Sequence, residues 1–275
     1  MNIPPPLCEE LSQILNAEIA SLFNQNLDCI LVNYRTFPAT ILTRPTTEPL
    51  NNLFTFQATP LKNKTLNIGW FSLLETEVTS VVGLLSKQDI TVSSIADFSP
   101  FLNPRIIRVY YQVLENPLRT ATKLKNVLSS LKNTAKSLSE PEPTPQFRIL
   151  CNTFAQTLGT NSVLILGSSC EVFKIRDLHL KIEGQKVITN PPRLINLSFE
   201  SLDASANALC WGQIDLLKRE VSTFLNVLKK QKGIIISSLH IQWFTNPQTV
   251  ELTYLTVENP ITFAIQSRRA LQALT

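Results

Sequence analysis

Hydrophobic positions recur with helical spacing in two stretches of the chain that lie 143 residues apart. The first stretch, LETEVTSVVGLLSKQD, carries the apolar residues Leu74, Val78, Val81, Val82 and Leu85. The second stretch carries apolar residues at the same relative positions, Leu217, Val221, Phe224, Leu225 and Leu228. A spacing of three and four residues places these side chains on one face of a helix. The pattern predicts, in both stretches, an amphipathic helix that packs against a sheet.

The segments that follow these two helices have the composition of strands. ITVSSIADF and GIIISSLHIQWF are rich in β-branched and apolar residues, and each is followed by an Asn-Pro turn and a second such segment, RIIRVYYQV or TVELTYLTV. A last helix is predicted to begin at Asn116-Pro117 and at Asn259-Pro260, because asparagine is a favoured N-cap and proline suits the first helical position. Ahead of the second main helix, residues 161–188 predict a hairpin or meander with a turn at Gly184-Gln185.

The two halves of the chain are predicted to be copies of one another. Many further identities share the offset of 143, such as Gly69 and Gly212. One offset that relates so many separate points predicts an internal duplication. A proline-rich segment between the copies has the composition of a stiff, extended linker. We therefore predict a first repeat at residues 1–132, a linker at 133–147 and a second repeat at 148–275.

Each repeat is predicted to be an α+β unit. Its helices would lie on one face of a mostly antiparallel sheet, with a ferredoxin-like β-α-β-β-α core. The chain would then consist of two tandem, homologous repeats of the α/β-sandwich type. With 275 residues, of which 44% are hydrophobic, it can bury two cores of ordinary size.

Composition and charge narrow the classes of partner. The net charge of +4 comes from 17% charged residues, and the basic residues are spread over several helices without a binding fingerprint, so nucleic acid is not an expected partner. The sequence has no apolar run of about 18 residues that would span a membrane. Its first residues do not resemble a secretory signal, and a cytoplasmic location is expected. The five cysteines lack C-x-x-C spacing and are interpreted as small buried apolar residues.

The order of these motifs resembles the LppY/LpqO-like family of bacterial proteins, a family of unknown function that often carries two copies of its domain. The likeness rests on the helix starts LLETEV and LLKREV, on NPRIIRVYY at 103–111, on KIRDLHLKIEG at 174–184 and on the Asn-Pro start of the last helix. It covers most of both halves of the chain.

The chain departs from that family at one position. Its members typically have a His-Asn-His group at the end of the strand after the first helix, where this chain has Ala96-Asp97-Phe98 and His240-Ile241-Gln242. Two imidazoles at positions i and i+2 of a strand share a face and could bind a metal together. Because one histidine of four remains, we expect no metal and no cofactor.

Six residues are candidates for binding a ligand, and none is assigned a catalytic role: His240, Gln242, Glu220, Glu77, Arg176 and Arg105. His240 can be a strand-end histidine with one hydrogen bond to a neighbour, or the remnant of a ligand site near Gln242 and Glu220. Glu77 and Glu220 can stabilise the starts of their helices through the helix dipole, or face a polar pocket at the same end of the sheet.

The remaining candidates have weaker chemistry. Arg176 is expected to form a salt link with another strand. Arg105 and Arg108 are predicted strand residues that could bind an anion or lie on a solvated face. His179 alternates with leucines and is expected on the solvent side of a strand. No glycine-rich phosphate loop, G-x-S-x-G elbow or H-E-x-x-H helix is present in the sequence.

The sequence leaves two hypotheses about function. The first is a non-enzymatic or catalytically degenerate protein that binds a small ligand or a protein partner in the cleft between its two halves. The alternative is an enzyme with a single site in the second repeat around His240 and Glu220, in which these side chains and Gln242 would converge. Whether the protein is an enzyme stays open, and the eroded histidine group favours the first hypothesis.

Overall fold

The computed structural model describes residues 2–20 and 27–274. Its helices are α1 (Pro5–Leu15), α2 (Val78–Lys87), α3 (Pro117–Leu128), α4 (Pro145–Leu158), α5 (Val221–Leu228) and α6 (Pro260–Leu271). The strands of the first half are β1 (Glu18–Ile19), β2 (Asp28–Arg35), β3 (Thr40–Ile41), β4 (Arg44–Pro45), β5 (Asn51–Ala58), β6 (Thr65–Leu74), β7 (Thr91–Asp97), β8 (Leu102–Asn103), β9 (Ile106–Glu115) and β10 (Thr134–Ala135). Those of the second half are β11 (Val163–Leu166), β12 (Ser169–Ile175), β13 (Lys181–Ile182), β14 (Gln185–Lys186), β15 (Leu194–Glu200), β16 (Ala208–Leu217), β17 (Ile235–His240) and β18 (Thr249–Glu258).

Each half forms one main antiparallel sheet. The strand order is β1-β2-β5-β6-β9-β7 in the first sheet, where β10 also pairs with β2, and β11-β12-β15-β16-β18-β17 in the second. Both sheets contain a β-α-β-β-α succession, β6-α2-β7-β9-α3 and β16-α5-β17-β18-α6, in which the third strand lies between the other two. The predicted α+β class with two tandem repeats is confirmed. The ferredoxin-like label stays a prediction, because each sheet continues through further strands.

The patterns that predicted helices correspond to real helices. The two amphipathic stretches form α2 and α5. The last helix of each repeat begins at the predicted asparagine: the side-chain oxygen of Asn116 accepts from the Arg119 N–H at 3.1 Å, and that of Asn259 accepts from the Ile261 N–H at 3.0 Å. These bonds satisfy backbone donors that have no partner inside the helix.

Other segments differ from the sequence-based expectations. The helices α1 and α4 were not predicted, and both begin with a proline at an early helical position. The segment at 133–147 contains β10 and the first residues of α4, and the exact repeat boundaries stay a prediction. The turn between β13 and β14 falls at Glu183-Gly184, one residue earlier than predicted. His179 is exposed, as expected, but it lies between strands rather than within one.

Helices cover only one face of each sheet. In the first repeat, α1, α2 and α3 bury the side chains on that face, such as Phe54, Phe71 and Tyr111. In the second repeat, α4, α5 and α6 do the same for residues such as Phe199 and Tyr254. The opposite faces of the two sheets meet each other, so the molecule has the layer order helices, sheet, sheet, helices.

Each repeat extends an arm onto the sheet of the other. The first arm, residues 37–50, packs with Leu209 and Trp211 of the second sheet. The second arm, residues 178–189, packs with Leu66 and Ile68 of the first sheet. Because the exchange is reciprocal, both arms bury apolar surface between the repeats and hold the two sheets face to face.

Polar side chains at equivalent positions anchor the two arms. The Gln57 amide donates to the Lys186 carbonyl at 2.7 Å and accepts from the Ile188 N–H at 2.7 Å. The equivalent residue, Glu200, accepts from the Thr46 hydroxyl and from the Thr47 N–H, the latter at 3.1 Å. These bonds fix the backbone of each arm against the opposite sheet.

The cysteines correct one expectation. Four of them, interpreted from the sequence as unpaired apolar residues, form two disulfides, Cys8–Cys29 and Cys151–Cys170, with Cα atoms 5.6 and 5.8 Å apart. Each disulfide joins the first helix of its repeat to a central part of the sheet. Cys210 is buried with a free thiol, as the sequence suggested. Spacing alone could not reveal the pairs, because α1 and α4 were not predicted.

We expect both disulfides to stabilise the fold. Replacing Cys151 and Cys170 together by serine should lower the free energy of unfolding by about 3 kcal/mol, because the bridge closes a loop of 19 residues in the unfolded chain. Urea unfolding would measure the change. Peptide mapping without reductant should find both pairs linked and Cys210 alone free, and five titratable thiols in the unfolded, unreduced protein would contradict the pairing.

Candidate functional site

A cleft of about 220 Å³ lies between the inner faces of the two sheets. The first sheet lines it mainly with apolar and aromatic side chains, Ile19, Ile30, Val32, Leu53, Tyr34 and Trp70, beside the polar residues Glu18, Asn51 and Arg108. The second sheet lines it with a more polar set, Glu171, Phe173, Asn196, Gln213, Asp215 and Glu251. The cleft therefore has one apolar wall and one wall rich in carboxylates and amides.

Divergence between the repeats produces this asymmetry. Three positions of the second repeat have acquired carboxylates where the first repeat has other residues, and the pairs are Ile30 and Glu171, Ser72 and Asp215, and Arg108 and Glu251. The cleft is consequently lined by two unlike surfaces, although the two sheets have equivalent strand orders.

Two of the carboxylates lie directly opposite each other. Asp215 on β16 and Glu251 on β18 are register partners, and both are buried. Like charges at such a position repel, because the two Cβ atoms are only about 4.5–5.5 Å apart. Burial raises the pKa of Asp215 well above its usual range, and the negative charge of Glu251 raises it further. One oxygen of Asp215 accepts from the Leu194 N–H at 3.0 Å, whereas Oδ1 has no hydrogen-bond partner within the described residues.

Glu251 is the centre of a polar group that joins the two repeats. Its carboxylate accepts from the Tyr110 hydroxyl at 3.4 Å and from the Gln242 amide. The Nε2 atom of His240 lies 3.6 Å from Glu251 Oε1 and 3.2 Å from the Tyr110 oxygen. Tyr110 belongs to the first sheet, so the group spans the interface. Burial lowers the pKa of His240, the charge of Arg108 lowers it further, and the charge of Glu251 opposes both effects.

A second pair of carboxylates faces another part of the cleft. Glu48, from the first arm, and Glu171, on β12, lie beside each other and both line the cleft. Burial raises the pKa of both groups, and the charge of Glu171 raises that of Glu48 further. The pair is therefore at least partly protonated where isolated carboxyls would be ionised.

Arg108 is the buried cation of the cleft. Its side chain is 1% exposed, and its guanidinium carbon lies 4.6 Å from the Trp70 ring centroid and 4.4 Å from that of Phe98. Contact with two aromatic rings stabilises the charge through cation–π attraction. Nε and Nη1 have no hydrogen-bond partner among the described residues, so two donors of a buried charge remain unsatisfied.

The structure places the six predicted candidates in four separate locations. His240 and Gln242 meet at Glu251, and Gln242 lines the cleft. Glu220 is bound elsewhere: its carboxylate receives two hydrogen bonds from Arg176, at 2.8 and 2.9 Å, and one from the Leu217 N–H at 2.7 Å. The side chains of His240, Gln242 and Glu220 therefore do not form a single group.

Glu77 repeats the arrangement of Glu220 in the first half. It receives hydrogen bonds from the buried Arg35 at 2.8 and 3.0 Å and from the Leu74 N–H at 2.8 Å. The arginine in turn donates to the Ser72 carbonyl at 2.6 Å, as Arg176 does to that of Asp215. In both repeats this pair joins the end of one strand, β2 or β12, to the second strand along the sheet, β6 or β16, and to a helix start.

Arg105 lies on the surface, outside the cleft. It forms ion pairs with Asp97 at 2.7 Å and with Glu75 at 2.9 Å, and half of its side chain is exposed. Among the described residues, no group of three or more histidine, cysteine, aspartate or glutamate side chains has a metal-binding arrangement. In the same part of the chain, no helix is long and apolar enough to cross a bilayer.

These features define a class of protein, a duplicated α+β chain whose two repeats enclose one cleft between their sheets. A family model described as Domain of Unknown Function (DUF1259) matches the chain twice, at residues 11–130 and 152–273. The matches cover most of the chain, which therefore belongs to this family and contains its domain in two copies. No curated protein and no solved structure matches the chain.

Sequence reasoning missed four residues that line the cleft, Glu48, Glu171, Asp215 and Glu251, and it considered Arg108 for anion binding without including it among the six candidates. Each lies within a segment with an ordinary strand or loop pattern and carries no motif. One signal was present in the repeat alignment, since Arg108 and Glu251 occupy equivalent positions with opposite charge. A charge reversal inside a buried strand is informative, because a charged residue is rarely buried without a specific partner.

The pairs of Glu77 and Glu220 with arginine should stabilise the fold. We expect Glu220→Gln to lower the free energy of unfolding by roughly 2–4 kcal/mol, because the change leaves the charge of the largely buried Arg176 uncompensated. Glu142→Gln is the matched control, since Glu142 forms an ion pair with Arg148 that is largely exposed and should change stability by less than about 1 kcal/mol. Equal effects in urea unfolding would contradict this role of Glu220.

Buried carboxyls should make the folded protein more stable at pH 5 than at pH 8. Burial raises the pKa of Glu200 to about 7, so between the unfolded value and pH 7 the folded state binds a proton that the unfolded state has released. The unfolding free energy should therefore fall as the pH rises from 5 to 8. Glu200→Gln should reduce this fall by roughly 2 kcal/mol. Urea unfolding at the two pH values measures both, and an unchanged slope in the variant would refute the assignment.

Proposed function

We propose that the protein is a non-enzymatic binding module that holds a small ligand in the cleft between its two sheets. The observation that carries this proposal is the set of buried polar groups in the cleft that have no partner within the described residues. Asp215 Oδ1, Asn196 Oδ1, Gln242 Oε1 and two nitrogens of Arg108 belong to it. A buried polar atom without a hydrogen bond typically costs about 1–3 kcal/mol, and a ligand would relieve that cost.

The shape of the cleft supports the same conclusion. Ligand sites are concave and largely apolar, with a few polar groups that fix the orientation of the ligand. This cleft has that composition, and it lies where two repeats meet. A protein partner fits less well, because the unsatisfied groups lie inside the cleft rather than on the outer surface.

The alternative, an enzyme around His240 and Glu220, receives less support. Glu220 is bound by Arg176 and by the backbone at the start of α5, and the lowered pKa of its carboxyl reflects hydrogen bonds from these groups against the effect of burial. His240 has a tyrosine and a glutamate as neighbours. We therefore interpret the arginine–glutamate pair as scaffold.

Two further expectations belong to this proposal. The resemblance to LppY/LpqO-like proteins agrees with a duplicated member of a family of unknown function, and we retain that more specific assignment as a hypothesis. The sequence predicts a cytoplasmic location. The two disulfides instead favour an oxidising compartment. The repeat boundaries near residues 132 and 148 are likewise proposed.

Blocking the cleft tests the proposal. Native mass spectrometry of the purified protein, together with a thermal-shift screen of a small-metabolite library, should find a bound molecule or a stabilising one. Leu164→Trp should abolish its binding, because Leu164 lines the cleft from the edge strand β11. Ile95→Trp is the control, an exposed residue on the edge strand β7 that is outside the cleft lining. Binding that survives the first change, or no ligand at all, would contradict a cleft-binding function.

A further inference from the structure

The hydrogen-bond donors of the cleft indicate one chemical group that its ligand carries. The guanidinium carbon of Arg108 lies over the Trp70 and Phe98 rings, which attract the charge but offer no oxygen acceptor to its N–H groups. The unsatisfied Nε and Nη1 therefore require an oxygen acceptor. A carboxylate suits a guanidinium particularly well, because it is planar and carries the opposite charge.

The hydrogen-bond acceptors of the cleft indicate a second chemical group of the ligand. Asp215 Oδ1 is buried and unpartnered, and the carboxylate of Glu251 lies on the directly opposite residue. The side-chain oxygens of Asn196 and Gln242 are also buried, unpartnered and part of the cleft lining. An ammonium group supplies three donors and a positive charge, which would satisfy Asp215 and relieve its repulsion with Glu251.

Arg108 and the pair formed by Asp215 and Glu251 lie within the reach of one small molecule. Arg108 and Tyr110 are two residues apart on β9 and therefore lie on the same face of the first sheet, and the Tyr110 hydroxyl lies 3.4 Å from Glu251 Oε1. Arg108 is therefore close to the carboxylate pair, although no ion pair joins it to Glu251 in the described part of the chain. The cleft volume of about 220 Å³ is below the roughly 300–1,000 Å³ of a drug-sized pocket.

We propose that the ligand of the cleft is a small zwitterion of the amino-acid type with an apolar side chain. Its carboxylate binds Arg108, its ammonium binds between Asp215 and Glu251, and its side chain contacts the apolar wall of Ile30, Val32 and Leu53. This inference rests on the proposed function and adds the class of ligand to it.

Charge balance separates a zwitterion from simpler ligands. An amine without a carboxylate would leave the donors of Arg108 unsatisfied and add a second cation beside them. A carboxylate without an amine would lie near the acidic wall formed by Glu171, Asp215 and Glu251. A zwitterion places each charge opposite its complement, and it brings no net charge into a cleft where transfer of a net charge from water is costly.

Calorimetric titration of the full chain tests this inference. The probes are L-valine, L-leucine, L-isoleucine, L-methionine and L-phenylalanine. For the amino acid that binds most tightly, the corresponding amine and the corresponding carboxylic acid, such as 3-methylbutylamine and 4-methylpentanoate for leucine, are titrated separately. We expect each half to bind at least tenfold more weakly than the complete amino acid. If either half binds as tightly as the amino acid, or no amino acid binds, the inference is overturned.

Variants assign the two ends of the ligand. Arg108→Gln should weaken amino-acid binding at least tenfold and leave binding of the amine unchanged or stronger. Asp215→Asn retains the shape of the side chain and should weaken binding of the amino acid while leaving the carboxylic acid unaffected or tighter. Glu142→Gln, on the surface, should change neither. Circular dichroism confirms folding, and for a variant that fails to fold, Arg108→Met or Asp215→Ser replaces it in the same test.

The outcomes also separate this inference from the broader proposal. A different ligand that is displaced by Leu164→Trp would overturn the amino-acid class and leave cleft binding intact. If no ligand is found whose binding is abolished by Leu164→Trp, both the amino-acid class and cleft binding are overturned. Both proposals are supported if Arg108→Gln and Asp215→Asn each weaken amino-acid binding, while Arg108→Gln does not weaken binding of the amine and Asp215→Asn does not weaken binding of the carboxylic acid.

Discussion

The architecture depends on one constraint: each sheet has helices on only one of its faces. The opposite face of an isolated repeat would expose a broad apolar surface to water, including Trp70 and Tyr110 in the first repeat and Trp211 in the second. Face-to-face packing of the two sheets removes that surface from water, and the reciprocal arms seal both ends of the interface. The space that remains between the sheets is the cleft, so the site is a consequence of how the duplicated units bury their uncovered faces.

Duplication followed by divergence explains which residues match and which differ. The matching residues hold a repeat together: the disulfides, the arginine–glutamate pairs and the asparagine caps occur in both halves. The differing residues face the cleft, where Glu251 replaces the equivalent of Arg108. A symmetric interface would place like beside like. The divergence instead sets a buried cation near buried carboxylates, as recognition of an unsymmetrical molecule requires.

Local signals predicted local structure, and they could not predict what depends on the meeting of distant segments. Periodicity identified α2 and α5, and the Asn-Pro pairs identified the starts of α3 and α6. The prolines before residue 146 were interpreted as a linker, because Pro145 at a helix start has the same local sequence as a proline in an extended segment. The six candidate residues included two of the group around Glu251. Of the others, Glu77, Glu220 and Arg176 belong to the two arginine–glutamate pairs, and Arg105 lies on the surface. Asp215 and Glu251 lie 36 positions apart, and only strand pairing brings them together.

Buried polar groups without a hydrogen-bond partner in the described residues lower the stability of the fold, and the scaffold has to offset that cost. The two disulfides and the two arginine–glutamate pairs all lie around the sheets rather than in the cleft, so they can stabilise the fold without taking part in binding. Ligand binding adds stability by mass action, because a ligand that binds only the folded state shifts the equilibrium towards it. Burial raises the pKa values of Asp215, Glu48 and Glu171, and neighbouring carboxylates raise those of Asp215 and Glu48 further. A cationic group that enters the cleft must then displace a proton from one of these carboxyls, or bind to molecules in which that carboxyl is ionised. Its affinity for the cleft therefore increases as the pH rises.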